Sequence, residues 1–181
     1  MKKLFVFVLA AMSVFMANAQ YRNIEIQAAG LTCSLCSNAI QKALKSLPFV
    51  AGVKTELKSN LFIIDLRPGI AVDLDQISRK VEDAGFSVGK LSLEVKFGAV
   101  DVKNDAHTIA GGNVFHFLKV NPQKVEGWQK IQLLDKNFVL SAEAKKNAKL
   151  TAMECYKTGV TSSCCDIPGV AKGKRVYHVT I

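Results

Sequence analysis

Ile24-Glu25-Ile26-Gln27-Ala28-Ala29-Gly30-Leu31-Thr32-Cys33-Ser34-Leu35-Cys36 is the stretch whose reading decides the fold. Ile24, Ile26 and Ala28 alternate with polar neighbours, the period of a half-buried strand. Gly30 lets the chain bend, and the residues after it open a helix. Ile40, Ala43, Leu44 and Leu47 follow at i, i+3, i+4 and i+7, one apolar helix face. Pro48 marks the end of that helix. Two thiols, Cys33 and Cys36, therefore stand two residues apart where a strand gives way to a helix.

The same periodicities continue to Phe97. Val53, Thr55 and Leu57 alternate in a second strand, and Lys58-Ser59-Asn60 turns into a third, Leu61-Phe62-Ile63-Ile64. Asp73 suits an N-cap, with Gln76 three residues on. Leu74, Ile77, Val81 and Ala84 form the stripe of a second helix, and Gly85 fits the position after its end. Phe86 and Val88 open a last strand, continued by Leu91, Leu93, Val95 and Phe97. The order βαββαβ is a split pair of crossover units. Right-handed crossovers put both helices on one face of a four-stranded antiparallel sheet. The fold class expected is α+β, a ferredoxin-like sandwich over residues 20–97.

Residues 98–181 are expected to form a second, small, mostly β domain with one helix. Val114 to Val120, Trp128 to Leu134, Asn137 to Leu140 and Arg175 to Ile181 read as strands, and Ser141 to Leu150 as a short helix. Gly111-Gly112, Asn121-Pro122, Gly159 and Pro168-Gly169 supply turns. An open barrel is the architecture this pattern suggests.

Residues 1–19 read as an export signal. Lys2 and Lys3 are its basic start, Leu4 to Ala17 its apolar run, and Ala17-Asn18-Ala19 a small-x-small cleavage site. That run falls short of the ~20 residues needed to cross a bilayer. The expectation is an exported protein, periplasmic or secreted, with no membrane span after signal removal. Lys and Arg number 24 against 15 Asp and Glu, a net charge of +9. The lysines are scattered without aromatic interleaving, which argues against a nucleic-acid partner. No nucleophile–base spacing or phosphate-cradling glycine loop is present, so the chain is read as a non-enzyme.

Residues 22–97 resemble the heavy-metal-associated domain of copper chaperones, metal-transporting ATPases and periplasmic mercury-binding proteins. The resemblance rests on Gly30 to Cys36, on Leu47-Pro48 to Val53, and on Val81-Glu82-Asp83-Ala84-Gly85-Phe86. It implies a metal site at Cys33 and Cys36, and ligand exchange with a metal-transport partner bearing exposed thiols. Leu31 stands where the family usually carries Met, a nearly volume-conserving exchange. Phe86 occupies an aromatic position near the loop.

The chemistry agrees with that implication. A first-turn position exposes Cys36 to unpaired backbone N–H groups and the positive end of the helix dipole, which favour an anion. Soft thiolates select soft ions. Two sulfurs cannot close a four-ligand zinc cage. They suit Cu(I), the first choice, or Hg(II), the alternative, in low coordination. A thiol–disulfide redox pair and a structural disulfide are the competing readings of Cys33 and Cys36.

Five cysteines in an exported chain leave at least one outside any internal disulfide. Cys155, Cys164 and Cys165 lie in a turn-rich stretch beside Asp166. They are read either as one disulfide from Cys155 to Cys164 or Cys165, or as a second soft-metal site of up to three thiolates. His107 reads as a loop residue, and His116 and His178 as half-buried strand residues without ligand spacing. Trp128 and Tyr177 read as core.

Overall fold

The computed structural model describes residues 20–31, 34–165 and 167–181. The expected export signal at 1–19, Thr32, Cys33 and Asp166 lie outside the described residues. The first half follows the expected order: β1 (Tyr21–Ala29), α1 (Ser34–Lys45), β2 (Val50–Glu56), β3 (Leu61–Leu66), α2 (Leu74–Asp83) and β4 (Ser87–Val102). Ile24, Ile26, Ile40, Leu44, Phe62, Ile64, Ile77, Val81, Leu91 and Leu93 are all buried in one core, as the two periodicities require. Asp73 caps α2: Gln76 N–H donates to Asp73 Oδ1 at 3.1 Å, and the Gln76 side-chain amide donates to Asp73 Oδ2 at 3.0 Å. Gly85 takes a φ of 88° just past the helix end.

The second half adds β5 (His107–Ala110), β6 (Asn113–Phe117), β7 (Gln123–Leu133), α3 (Ser141–Asn147), α4 (Cys155–Thr158) and β8 (Val176–Thr180). These strands do not make a sheet of their own. All eight strands form one sheet in the order β2-β3-β1-β4-β7-β8-β6-β5. The expected boundary at residue 98 falls inside β4, and the second-half strands extend the first-half sheet in one open order in place of a separate open barrel. The reason is local. Gly98 reads as an end, but the β4–β7 pairing shifts register between Phe97 and Val100, so the glycine sits in a bulge that the strand passes through. One edge of β4 pairs with β1, the other with β7.

Three local expectations change. Asn137–Leu140 is a turn, with Phe138 N–H donating to Asp135 O at 2.9 Å. Its apolar character reflects Phe138 plugging the core, not a strand. His107 lies in β5 and not in a loop. Trp128 is only half-buried, with the Arg22 guanidinium 4.2 Å from its ring centre. Tyr177 is core, as expected.

Side chains tie the two halves. The Tyr21 hydroxyl, on the first strand, donates to Ala110 O at 2.9 Å and accepts from the Asn113 amide at 2.7 Å. Arg175 donates to both carboxylate oxygens of Asp75 at the start of α2, at 2.9 and 3.0 Å, and to Asp135 at 3.1 Å. Among the described residues no helix is long and apolar enough to cross a membrane.

Three substitutions test this architecture. A Cβ on Gly111 would stand 2.2 Å from Tyr21 Cζ, whereas one on Gly112 meets nothing within 4 Å, and both glycines have positive φ. Gly111→Ala should therefore cost about 1–3 kcal/mol more than Gly112→Ala in urea denaturation, the overpacking penalty. Asp73→Ala should cost about 1 kcal/mol through the lost cap, measured in the same way.

Candidate metal centres

The first centre is the turn between β1 and α1. Gly30 adopts a φ of 84°, a left-handed bend that a side chain would strain. The Phe86 ring lies beneath it, since a Cβ on Gly30 would come 4.0 Å from Phe86 Cδ1. Leu31 and Phe86 both pack against the core. Leu31 thus ties the residue after the Gly30 bend to the core, and the Phe86 ring lies beside that bend. Cys36 is half-buried in the first turn of α1, and no acidic residue shares that turn. Leu35, between the two cysteines in sequence, is 76% exposed. The first turn of α1 therefore lies at the surface. Cys33 is outside the described residues, so the structure places one of the two predicted ligands and is silent on the other.

The second centre lies toward the β8-β6-β5 edge of the sheet. Cys155 opens α4 and is fully buried; Cys164 is half-buried and Cys165 buried. Their three sulfurs converge within 4.8 Å of one another. They are not joined by disulfides, and Cys164 and Cys165 are 3.6 Å apart. The segment that carries them is pinned at its base by Thr161, whose N–H donates to Lys174 O at 2.7 Å and whose hydroxyl donates to Ala171 O at 2.8 Å.

Two histidines join this group, contrary to the expectation that they lacked ligand spacing. Gly111 and Gly112 have φ of 59° and 76°, the signature of a two-residue hairpin turn. Counting outward from that turn pairs His107 with His116 across β5 and β6. Their rings stack with centroids 4.1 Å apart. The parallel pairing of β6 with β8 sets His116 beside His178. Cys155 Sγ then lies 3.6 Å from His116 Nδ1 and 4.0 Å from His107 Nε2. The Gly-Gly pair was the available signal: read as a two-residue loop, it places both imidazoles on one face of adjacent strands.

The electrostatics follow from burial. Burial, with repulsion from His107 and His178, drives the His116 pKa down to about 3 despite Asp105 at 3.1 Å. His107 is lowered for the same reasons. Burial raises the Cys155 thiol, and its sulfur neighbours add to the effect. Burial also raises Cys165. Cys164 is pulled down to about 7, chiefly by its contact with the Ser162 hydroxyl at 3.0 Å. His178 is held by Asp135, which accepts from its Nδ1 at 3.0 Å and from its backbone N–H at 2.8 Å. Burial alone would raise the Asp135 carboxyl, but His178 and Arg175 outweigh it and lower its pKa.

Known proteins align with the first half of the chain. The family model described as the heavy-metal-associated domain matches residues 25–87. Copper-transporting ATPase 2 of Rhizobium meliloti is 35% identical over 66 residues, 36% of this chain and 8% of that protein. A cation-transporting ATPase of Oryza sativa is 30% identical over 87 residues, 48% of this chain and 9% of that protein. The chain thus spans less than a tenth of the length of these curated relatives. The yeast copper transporter domain Ccc2a, solved in solution in apo and Cu(I)-loaded states, is 31% identical. That alignment covers 36% of this chain and 88% of the yeast domain, with a TM-score of 0.33. Residues 25–87 of this chain belong to the heavy-metal-associated domain family.

Proposed function

We propose that this chain is an exported soft-metal carrier that binds Cu(I) through Cys33 and Cys36 and exchanges it with a partner bearing exposed thiols. The observation that carries this reading is the placement of Cys36. It sits in the first helical turn, directly after a glycine bend braced by Leu31 and Phe86, within the residues that match the heavy-metal-associated domain. Thiolates favour soft ions, and relatives named as copper transporters make copper the first choice over mercury.

The exposure of Leu35 supports handover. A partner thiol can approach a surface loop and bond to the ion before the first sulfur leaves, so exchange needs no opening of the core. Export rests on the composition of residues 1–19. In an oxidising compartment the two thiols need reduction before they can take up metal. The role is binding and transfer, with no chemical turnover of a substrate.

Anaerobic Cu(I) titration of the reduced full chain against a competing chelator tests the assignment. The Cys33→Ser, Cys36→Ser variant should bind one Cu(I) fewer per chain than the wild type. Unchanged stoichiometry and affinity would exclude these cysteines as the ligands. Insulin-reducing activity that depends on both residues, without the loss of a bound ion, would favour the redox alternative.

A further inference from the structure

We infer that the β5–β6 hairpin, α4 and the segment after it form a second metal site, independent of Cys33 and Cys36 and suited to a tetrahedral zinc-type ion. Its donors are drawn from His107, His116, Cys155, Cys164 and Cys165. Their atoms fall into two groups, His107-His116-Cys155 and Cys155-Cys164-Cys165, with every donor in a group within 4.8 Å of the others. Cys155 belongs to both groups and is the hub.

The spacing favours tetrahedral coordination. Bonds of about 2.3 Å to sulfur and 2.0–2.1 Å to nitrogen place tetrahedral donors roughly 3.5–3.8 Å apart. Cys155 Sγ to His116 Nδ1 is 3.6 Å, and Cys164 Sγ to Cys165 Sγ is also 3.6 Å. Cys155 Sγ to His107 Nε2, at 4.0 Å, is slightly open. A mixed imidazole and thiolate set suits zinc, with three donors from one group and the fourth from the other through the shared Cys155, whereas hard cations need oxygen.

The outer contacts are arranged as a metal-bound histidine requires. His116 Nε2 faces Asp105 Oδ1 at 3.1 Å. With the ring proton donated to that carboxylate, the Nδ1 lone pair points toward Cys155. Outer-shell carboxylates of this kind fix the tautomer and orientation of a ligating imidazole. A separate observation points the same way. His178 Nε2 is fully buried without a hydrogen-bond partner, and its ring lies 5.0 Å from that of His116. The imidazole row thus continues into a desolvated pocket, with a nitrogen left over at its inner end.

The site would clip together parts of the chain that have little else in common. It joins a hairpin at the sheet edge, a four-residue helix, and a loop with almost no regular structure. Burial of His116, Cys155 and Cys165 makes it a closed site, unlike the surface turn after β1. The ion here serves the fold, and transfer belongs to the other centre.

The test uses the reduced full chain carrying Cys33→Ser and Cys36→Ser, titrated with Co(II) as a spectroscopic substitute for zinc. We expect one Co(II) per chain, with thiolate charge-transfer absorption and the intense d–d bands of a tetrahedral site, displaced by Zn(II). Adding Asp105→Asn should weaken binding about 10–100-fold, the effect of losing an outer-shell partner, with an unchanged circular dichroism spectrum. Adding Cys164→Ser should weaken binding and reduce the charge-transfer intensity. Cys155→Ser should abolish binding. Because Cys155 lies in the core, the two milder variants decide the matter if that one does not fold. A six-coordinate Co(II) spectrum would overturn the inference, as would full affinity in both milder variants.

Discussion

The 16-residue strand β4 is the constraint on which the rest of the structure depends. Its backbone N–H and C=O groups must be paired on two edges at once, because β1 lies on one side and β7 on the other. β7 covers an edge of β4 that would otherwise invite pairing with another chain, from Ser92 to Phe97 and again beyond the bulge from Val100 to Val102. The strand thereby becomes the template for the second half. The core follows the sheet: Leu93, Val95 and Phe97 belong to the same buried cluster as Phe115, Phe117, Tyr177 and Val179.

Polar contacts then lock the two halves in register. Tyr21, at the very start of β1, reaches the β5–β6 turn, and burial pushes its pKa up to about 12, so it acts as a neutral donor. Arg175 spans from the edge of β8 to Asp75 on α2, and its guanidinium lies 4.3 Å from the centre of the Tyr177 ring. The hydrogen-bonded partners, Tyr21 with Ala110 and Arg175 with Asp75, are remote in sequence. Each is worth little in isolation, yet leaving any one of them unpaired inside the protein costs the full desolvation of that group.

The two candidate centres use cysteine in opposite ways. The first turn of α1 carries Cys36 beside the exposed Leu35, after a Gly30 bend whose neighbours Leu31 and Phe86 pack against the core. Such a site trades tight enclosure for access. The cluster around Cys155 is enclosed by strands β5, β6 and β8, and its histidines are kept neutral by burial. Accessible thiolates suit an ion in transit, and buried mixed donors suit an ion that stays.

Residues 24–97 carried their fold in the sequence, because each element there obeys a short-range rule. Alternation marks β1, a 3.6-residue stripe marks α1 and α2, and Asp73 and Gly85 bracket α2 by capping chemistry. The position of Cys36 at a helix start was legible for the same reason. In the second half β6, β7, β8 and α3 were legible by the same rules, but their arrangement was not, because it is set by partners far along the chain. The turn at Asn137–Leu140 looked like a strand because Phe138 is needed in the core. Gly98 looked like a boundary because a bulge and a strand end share a residue type. His107 and His116 looked unrelated because nine residues separate them, and only the hairpin at Gly111-Gly112 folds that distance to a cross-strand pair. Local periodicity is written in neighbouring residues. Convergence of His107, His116, Cys155, Cys164 and Cys165 depends on which strands lie side by side, and that was decided only when the chain closed on itself.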